Sequence, residues 1–321
     1  MNALVIGGTG PTGPFIIEGL LKRGYKVAIF HRGTHEVPLP EEVEHIHNDP
    51  HFTETIEAAL GNRKFDLIVS MYGRLRFIAE VSASRTPRLI AVTGSLVYKG
   101  YGTDSIPVPV SEDAPVETDP AIKGRYLISI SEQAVMEYHH QGRYNATVIR
   151  YPRIYGPPRW TEWSFVKRIL DGRKQFILPD GGLSLWTRGY SENMAHAVLL
   201  AVDNPKKAAG RIYNAGDERL FTFRQWVELI TQIMGHQWNM VDIPSALAPP
   251  AQICGGNMNH RILDLTRIKV ELGYRDIVLP EEGLRRTVEW LVNNRPDRVA
   301  AKEEERLILD PFDYEDRKSV V

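Results

Sequence analysis

Ala3-Leu4-Val5-Ile6-Gly7-Gly8-Thr9-Gly10-Pro11-Thr12-Gly13 is the stretch on which the fold turns. The apolar run Ala3 to Ile6 reads as a strand, and Phe15 to Lys22 reads as a helix. Lys26 to Phe30 is a second apolar run, so the segment forms one βαβ unit. Small residues between strand and helix let the backbone turn sharply, approach a pyrophosphate and aim helix N–H groups at it. This reading assigns Gly7, Thr9, Gly10, Pro11, Thr12 and Gly13 to the phosphates of a dinucleotide. An ordinary βα turn also uses glycines; the order strand, loop, helix, strand is what argues for a ligand.

The alternation continues along the chain. Val43 to His47, Phe65 to Ser70, Arg88 to Thr93 and Ala146 to Arg150 read as strands. Thr53 to Leu60, Arg74 to Ser82 and about Tyr126 to His140 read as helices. A run such as Leu67-Ile68-Val69 has no polar side for solvent, as a sheet covered on both faces requires. The expected class is α/β, a doubly wound parallel Rossmann sheet. Beyond Pro152 the chain is broken by Pro157, Pro158, Pro179, Gly181 and Gly182, with Trp160, Trp163 and Trp186 close together. That texture predicts a smaller, loop-rich C-terminal substrate lobe. The expected divisions are a dinucleotide-binding domain over 1–155, a substrate lobe over 156–294 with segments returning to the first domain, and a charged extension over 295–321.

The 321 residues are 43% hydrophobic, ample for a core, and 39 Lys and Arg against 40 Asp and Glu leave a net charge of −1. That balance supplies no global field for gathering nucleic acid or an anionic membrane. Cys254 is the single cysteine and closes no intrachain disulfide, the opening residues have no leader pattern, and no apolar run approaches the roughly 18 residues of a membrane span. A soluble, cytoplasmic protein is expected. Arg32, His139, His140, Arg143, Arg150, Arg153 and Arg159 are scattered, with no aromatic and basic platform for RNA.

Strand two ends in Phe30-His31-Arg32-Gly33, with no carboxylate before Glu36. An acidic residue there would accept the ribose 2′-OH of NAD; an arginine accepts the 2′-phosphate of NADP. The pattern predicts NADP(H), with NAD as the alternative, and places His31 and Arg32 at the ribose. Asp49 is an acceptor for the adenine amino group or a turn residue. Ser70, Met71 and Tyr72 fall at the carboxyl edge of the fourth strand, where ligands of doubly wound sheets lie, and Thr93, Pro152 and Ile154 at the ends of the next two strands are assigned to the cofactor as well. His35, His45, His47 and His51 match no helical zinc spacing and have no cysteine partner; they read as surface and turn histidines, with no metal site.

A wider set of motifs carries a resemblance. The glycine loop is followed by Leu89-Ile-Ala-Val-Thr-Gly-Ser-Leu-Val-Tyr98, Tyr126-x-x-Ser129, Ile149-Arg-Tyr-Pro-Arg-Ile-Tyr-Gly-Pro157 and Tyr213-Asn-Ala-Gly216. Leu272-Gly-Tyr274, Pro280-Glu-Glu-Gly-Leu284 and Thr287-Val-Glu-Trp290 complete it. From Asn2 to Leu291 the chain resembles the extended, epimerase/dehydratase-like short-chain dehydrogenase/reductases. Phe30-His-Arg-Gly33 with Glu162-Trp-Ser-Phe165 and Arg168 is most similar to the atypical branch containing chloroplast stem-loop RNA-binding proteins and bacterial relatives.

The resemblance implies a catalytic tyrosine at Tyr126, and also two departures. Gly94 stands where the family carries a serine or threonine, and Ile130 stands where Tyr-x-x-x-Lys has its lysine. Candidate substitutes are Lys123, Lys99, and the hydroxyls of Ser95 and Thr93. A tyrosine without that lysine is a better proton donor than base at neutral pH. On the substrate side the resemblance points to Tyr72, Tyr98, Trp160, Trp163 and Arg188; the tryptophans also read as packing of the small lobe. It implies a nicotinamide-dependent oxidoreductase reducing an activated C=O, C=C or C=N bond with Tyr126 as proton donor, and a homodimer. The alternatives are a redox-neutral epimerase or dehydratase of nucleotide-sugar type, and a non-catalytic RNA-binding or cofactor-sensing protein.

Overall fold

In the computed structural model, which describes residues 1–34, 36–71, 74–248 and 258–296, the apolar runs become strands close to where their composition predicts them. The elements β1 (Asn2–Ile6), α1 (Gly13–Lys22), β2 (Lys26–His31), β3 (Glu44–His47), α2 (Thr53–Leu60), β4 (Leu67–Ser70) and α3 (Leu75–Ser82) come first. They are followed by β5 (Arg88–Gly94), α4 (Lys123–His140), β6 (Asn145–Tyr151), β7 (Arg153–Tyr155), α5 (Trp163–Leu170) and β8 (Gln175–Pro179). The remainder comprises β9 (Leu185–Trp186), β10 (Arg188–Tyr190), α6 (Ser191–Asp203), α7 (Pro205–Ala208), β11 (Arg211–Asn214), β12 (Phe221–Thr222), α8 (Phe223–Ile233), β13 (Asn239–Ile243), α9 (Thr266–Leu272) and α10 (Pro280–Asn293).

Seven strands form one parallel sheet in the order β11-β6-β5-β4-β1-β2-β3. This is the doubly wound Rossmann architecture expected from the sequence. Strand order reverses at β1, which lies between β2 and β4, and the crevice beyond the carboxyl ends of these strands is the ligand position of such sheets. Alternate residues of β1 serve opposite faces. Ala3 and Val5 join Ile17, Leu20, Met194 and Val198 under α1 and α6, while Leu4 and Ile6 join Ile56, Ile78 and Val135 under α2, α3 and α4.

Helices α1 and α6 approach closely because Gly19 has no side chain: a Cβ there would lie 2.3 Å from Leu199 Cδ1. After β6 the chain builds a second core rich in aromatics, including Trp163, Phe165, Phe176, Phe223 and Trp226. Helix α8 starts on a capping box between Thr222 and Gln225. The seventh strand, β11, returns to the sheet edge beside β6 and was not evident from its four residues, of which Ile212 and Tyr213 alone are large and apolar. Among the described residues no helix is long and apolar enough to cross a membrane. Cys254 and most of the charged segment from Arg295 lie outside the described residues.

Candidate active site

The loop between β1 and α1 takes its shape from its glycines. Gly7 (φ +105°) and Gly8 (φ +73°) occupy backbone conformations that side-chain-bearing residues rarely adopt. Gly13 opens α1 so close to the loop that a Cβ there would lie 2.0 Å from the Gly8 carbonyl oxygen. A Cβ on Gly10, by contrast, would meet nothing within 4 Å, so this part of the loop faces open space. The Gly7 N–H donates to the Phe30 carbonyl at 3.0 Å, and the Thr12 hydroxyl donates to Met71 Sδ at 3.4 Å, tying the loop to β2 and β4. At the start of α1 the Gly13 N–H donates to the Gly10 carbonyl at 3.0 Å and Pro14 has no N–H, so the groups left to meet an anion are those of the loop itself and of the next residues of the helix.

A cavity of about 310 Å³ opens beside this loop, and Gly7, Thr9, Gly10, Pro11, Thr12, His31, Arg32, Met71 and Ile154 all line it. Gly13 stands behind it as the first residue of α1. Gly33, Thr34, Val92, Tyr151 and Arg159 complete the wall; sequence reading assigned none of these to the cofactor and placed Tyr151 with the aromatic residues of the substrate side. No Asp or Glu lines the cavity among the described residues. His31 is buried, and that burial lowers its pKa. Tyr151 is held neutral by burial, its hydroxyl donating to the Met194 carbonyl at 2.9 Å.

Other residues assigned to the cofactor lie off this cavity. Asp49 accepts from the His51 backbone N–H at 3.0 Å and pairs with the His51 ring, which lowers its pKa; it makes the turn that was the alternative reading. Ser70 is fully buried at the end of β4, and Pro152 is buried between β6 and β7. The Thr93 hydroxyl donates to Glu132 Oε1 at 2.5 Å. Tyr72 lies outside the described residues.

Tyr126 is half-buried on the first turns of α4. The helix begins at Lys123, earlier than the sequence predicts, so Lys123 and Tyr126 are three residues apart on one helix and share a face. Lys123 and Lys99 are both exposed. Ser95 is buried in the turn after β5, its hydroxyl beside Tyr101, whose pKa burial pushes up to about 12. Arg125 fastens this turn to α4 by donating to the carbonyls of Tyr98 (2.9 Å) and Tyr101 (2.8 Å).

Behind the turn lies a buried network that sequence reading did not find. Arg150 on β6 meets Glu132 on α4, with Nη2 to Oε2 at 2.6 Å. Their side chains are only 3% and 5% exposed. Arg150 also donates to the Glu112 carbonyl at 3.1 Å and lies 4.7 Å above the Tyr98 ring. Burial opposes its charge, but the Glu132 carboxylate keeps the guanidinium pKa above its ordinary value.

Four positions expected to touch substrate are instead packed. Tyr98 is fully buried with its hydroxyl donating to Asn214 Oδ1 at 2.6 Å, and burial pushes its pKa up to about 12, so nothing reaches it from the crevice. Trp163 belongs to the aromatic core of the lobe. Trp160 packs against Trp290 at a centroid distance of 5.7 Å and donates Nε1–H to the Asn294 carbonyl. Arg188 is buried with its guanidinium 4.3 Å from the Trp226 ring centre.

His45 and His47 are exposed, in keeping with their reading as surface histidines. His51 does belong to a turn, and His35 lies outside the described residues. His31, His45 and His47, however, gather with Glu36 at the carboxyl edge of β2 and β3.

A sequence profile described as the NAD dependent epimerase/dehydratase family matches residues 3–216. A UDP-N-acetyl-alpha-D-glucosaminuronate decarboxylase of Bacillus cytotoxicus is 24% identical over 90% of this chain and 97% of its own. The chloroplast stem-loop binding protein of 41 kDa b of Arabidopsis thaliana is 28% identical over 68% of this chain and 60% of its own. A Sinorhizobium fredii protein is 27% identical over 46% of this chain and 47% of its own, so the chain spans about half the length of that relative. Among solved structures, an NAD-bound dTDP-glucose 4,6-dehydratase of Bacillus anthracis superposes with a TM-score of 0.73 at 19% identity, covering 92% of this chain and 97% of that one. An epimerase of Methanothermobacter thermautotrophicus superposes with a TM-score of 0.76 at 15% identity, covering 94% of each chain. The profile covers the sheet, the glycine loop and the turn before α4, and the chain therefore belongs to the NAD dependent epimerase/dehydratase family, a family of enzymes.

Proposed function

We propose that the chain is an NADP(H)-dependent oxidoreductase of the extended short-chain class, acting in the cytoplasm on a small organic substrate. The observation that carries this reading is the wall of the glycine-loop cavity, which includes Arg32 and, among the described residues, no carboxylate. A guanidinium binds a 2′-phosphate bidentately, whereas a carboxylate in its place would repel it. In this reading the loop from Gly7 to Gly13 holds the pyrophosphate at the α1 N-terminus. His31 and Arg32 face the adenosine ribose, and Met71, Val92 and Ile154 give the cavity apolar wall. Once bound, the nicotinamide supplies or accepts a hydride.

Tyr126 gives a proton to the substrate oxygen, carbon or nitrogen. With Ile130 one turn on in place of a cation, the phenol is better used as an acid, which favours reduction of an activated C=O, C=C or C=N bond over alcohol oxidation. Lys123, on the same helical face, is a candidate to orient the phenol. A redox-neutral conversion of a nucleotide sugar is the second reading, supported by the decarboxylase relative that the chain spans almost completely.

Calorimetric titration of NADPH and NADH into the wild type and Arg32→Ala tests the cofactor assignment. A charge-assisted contact contributes about 1.5–3 kcal/mol, so the substitution is expected to weaken NADPH roughly ten- to hundredfold and leave NADH nearly unchanged. Equal losses for the two would remove Arg32 from the 2′-phosphate.

A further inference from the structure

His45 and His47 are alternate residues of β3 and so present their side chains on the same face. Parallel pairing of β2 with β3 puts His31 in register with His47, bringing all three imidazoles to one corner of the sheet. Ring centroids are 4.6 Å apart for His31 and His47, 5.2 Å for His31 and His45, and 5.8 Å for His45 and His47. Glu36, in the loop after β2, closes the group from the fourth side.

The donor atoms face one another. His31 Nε2 and His45 Nδ1 are 3.2 Å apart, His47 Nε2 and Glu36 Oε1 are 3.4 Å apart, and His45 Nδ1 and Glu36 Oε2 are 3.9 Å apart. One ligand atom from each of the four residues lies within 4.8 Å of the other three. Zinc bonded at about 2.0–2.1 Å to four tetrahedral ligands separates them by roughly 3.3–3.5 Å, so small turns of the exposed Glu36 and His47 side chains bring the set to that spacing. Three neutral imidazoles and one carboxylate are a donor set for a borderline divalent ion, not for calcium or magnesium.

We infer that His31, Glu36, His45 and His47 form a binding site for one transition-metal dication of the zinc type. His31 ends β2, Glu36 lies in the connection and His45 and His47 lie on β3, so a bound ion ties Glu36 to the ends of both strands at the sheet edge. His31 also lines the glycine-loop cavity, which makes the tie a brace for one wall of that cavity. The site is independent of which dinucleotide the cavity takes.

Untagged full-length protein stripped with chelator and titrated with Co²⁺ tests this. One equivalent is expected to give the visible absorption of tetrahedral Co²⁺, which one equivalent of Zn²⁺ then removes. The double variant His45→Asn/His47→Asn, whose altered residues do not line the cavity, is expected to lose the band while its metal-free melting temperature stays at the wild-type value. Glu36→Gln, on an exposed loop, is expected to weaken Co²⁺ binding without affecting that melting temperature. Absence of a saturable one-equivalent band in the wild type overturns the site, as does a band undiminished in the double variant, which would put the ion elsewhere.

Discussion

Tyr126 has Ile130 one turn on, at the position where the sequence resemblance leads to a lysine, and the chemistry proposed for it follows from that single replacement. General acid catalysis by a positioned group contributes roughly 10²–10⁴-fold in rate. Tyr126→Phe is therefore expected to cut kcat by that factor in an NADPH-coupled screen of activated carbonyl compounds, with dinucleotide affinity unchanged; a variant as fast as wild type would move the proton to another donor. Gly7, Gly8 and Gly13 were legible in the sequence because their constraint is local: a positive φ or a missing Cβ is needed within a few residues of the strand end. His31, His45 and His47 were not, since 14 and 16 residues separate the pairs along the chain and only strand register brings them together. Tyr98 and Trp163 misled for a related reason. Their residue type suits a ligand pocket or a core equally well, and burial decided for the core.

At the scale of elements, the link from α4 to β6 fixes where Tyr126 sits. Glu132, two turns further along the same helix, is bound to Arg150 on β6 and to Thr93 on β5, so the helix is keyed to the ends of two central strands. Removing one partner of a buried ion pair leaves the other charge uncompensated and costs about 3–5 kcal/mol. Glu132→Gln is expected to lose stability on that scale in urea unfolding, whereas a loss under about 1 kcal/mol would show that water or another group takes over Arg150. Most strands and helices of the first 150 residues were readable because each carries its own apolar run. Strand β11 was not: four residues with two large apolar side chains have no period to read, and its place comes from pairing with β6. The early start of α4 at Lys123 was hidden for the same reason, its first turn carrying no capping side chain.

Across the whole molecule, the buried carboxyl of Asp217 and the half-buried one of Asp276 set the response to pH. Asp217 accepts from the Tyr155 hydroxyl (2.9 Å), the Tyr190 N–H (3.0 Å) and Asn193 Nδ2 (3.1 Å), yet burial pushes its pKa up to about 7; burial likewise pushes Asp276 up to about 6. An acid whose pKa is raised by folding holds its proton longer in the native state than in the unfolded one. Stability is therefore expected to fall as pH rises from about 4 to about 7, by a few kcal/mol in order of magnitude. In Asp217→Asn the new amide can donate to the Tyr155 oxygen, whose proton turns to the Pro280 carbonyl, so this variant is expected to fold and to show a flatter dependence in chemical denaturation across that range. A slope identical to wild type would place the titrating group elsewhere. The central claim, that the glycine-loop cavity is a nicotinamide dinucleotide site with a preference for NADP(H), is tested most directly by thermal unfolding of nucleotide-stripped protein with NADPH and with NADH. At 100 times its Kd a ligand adds about 2.7 kcal/mol to the native state, so NADPH is expected to raise the melting temperature by several degrees, and NADH to do so only at much higher concentration. No shift with either dinucleotide at saturating concentration would contradict the account.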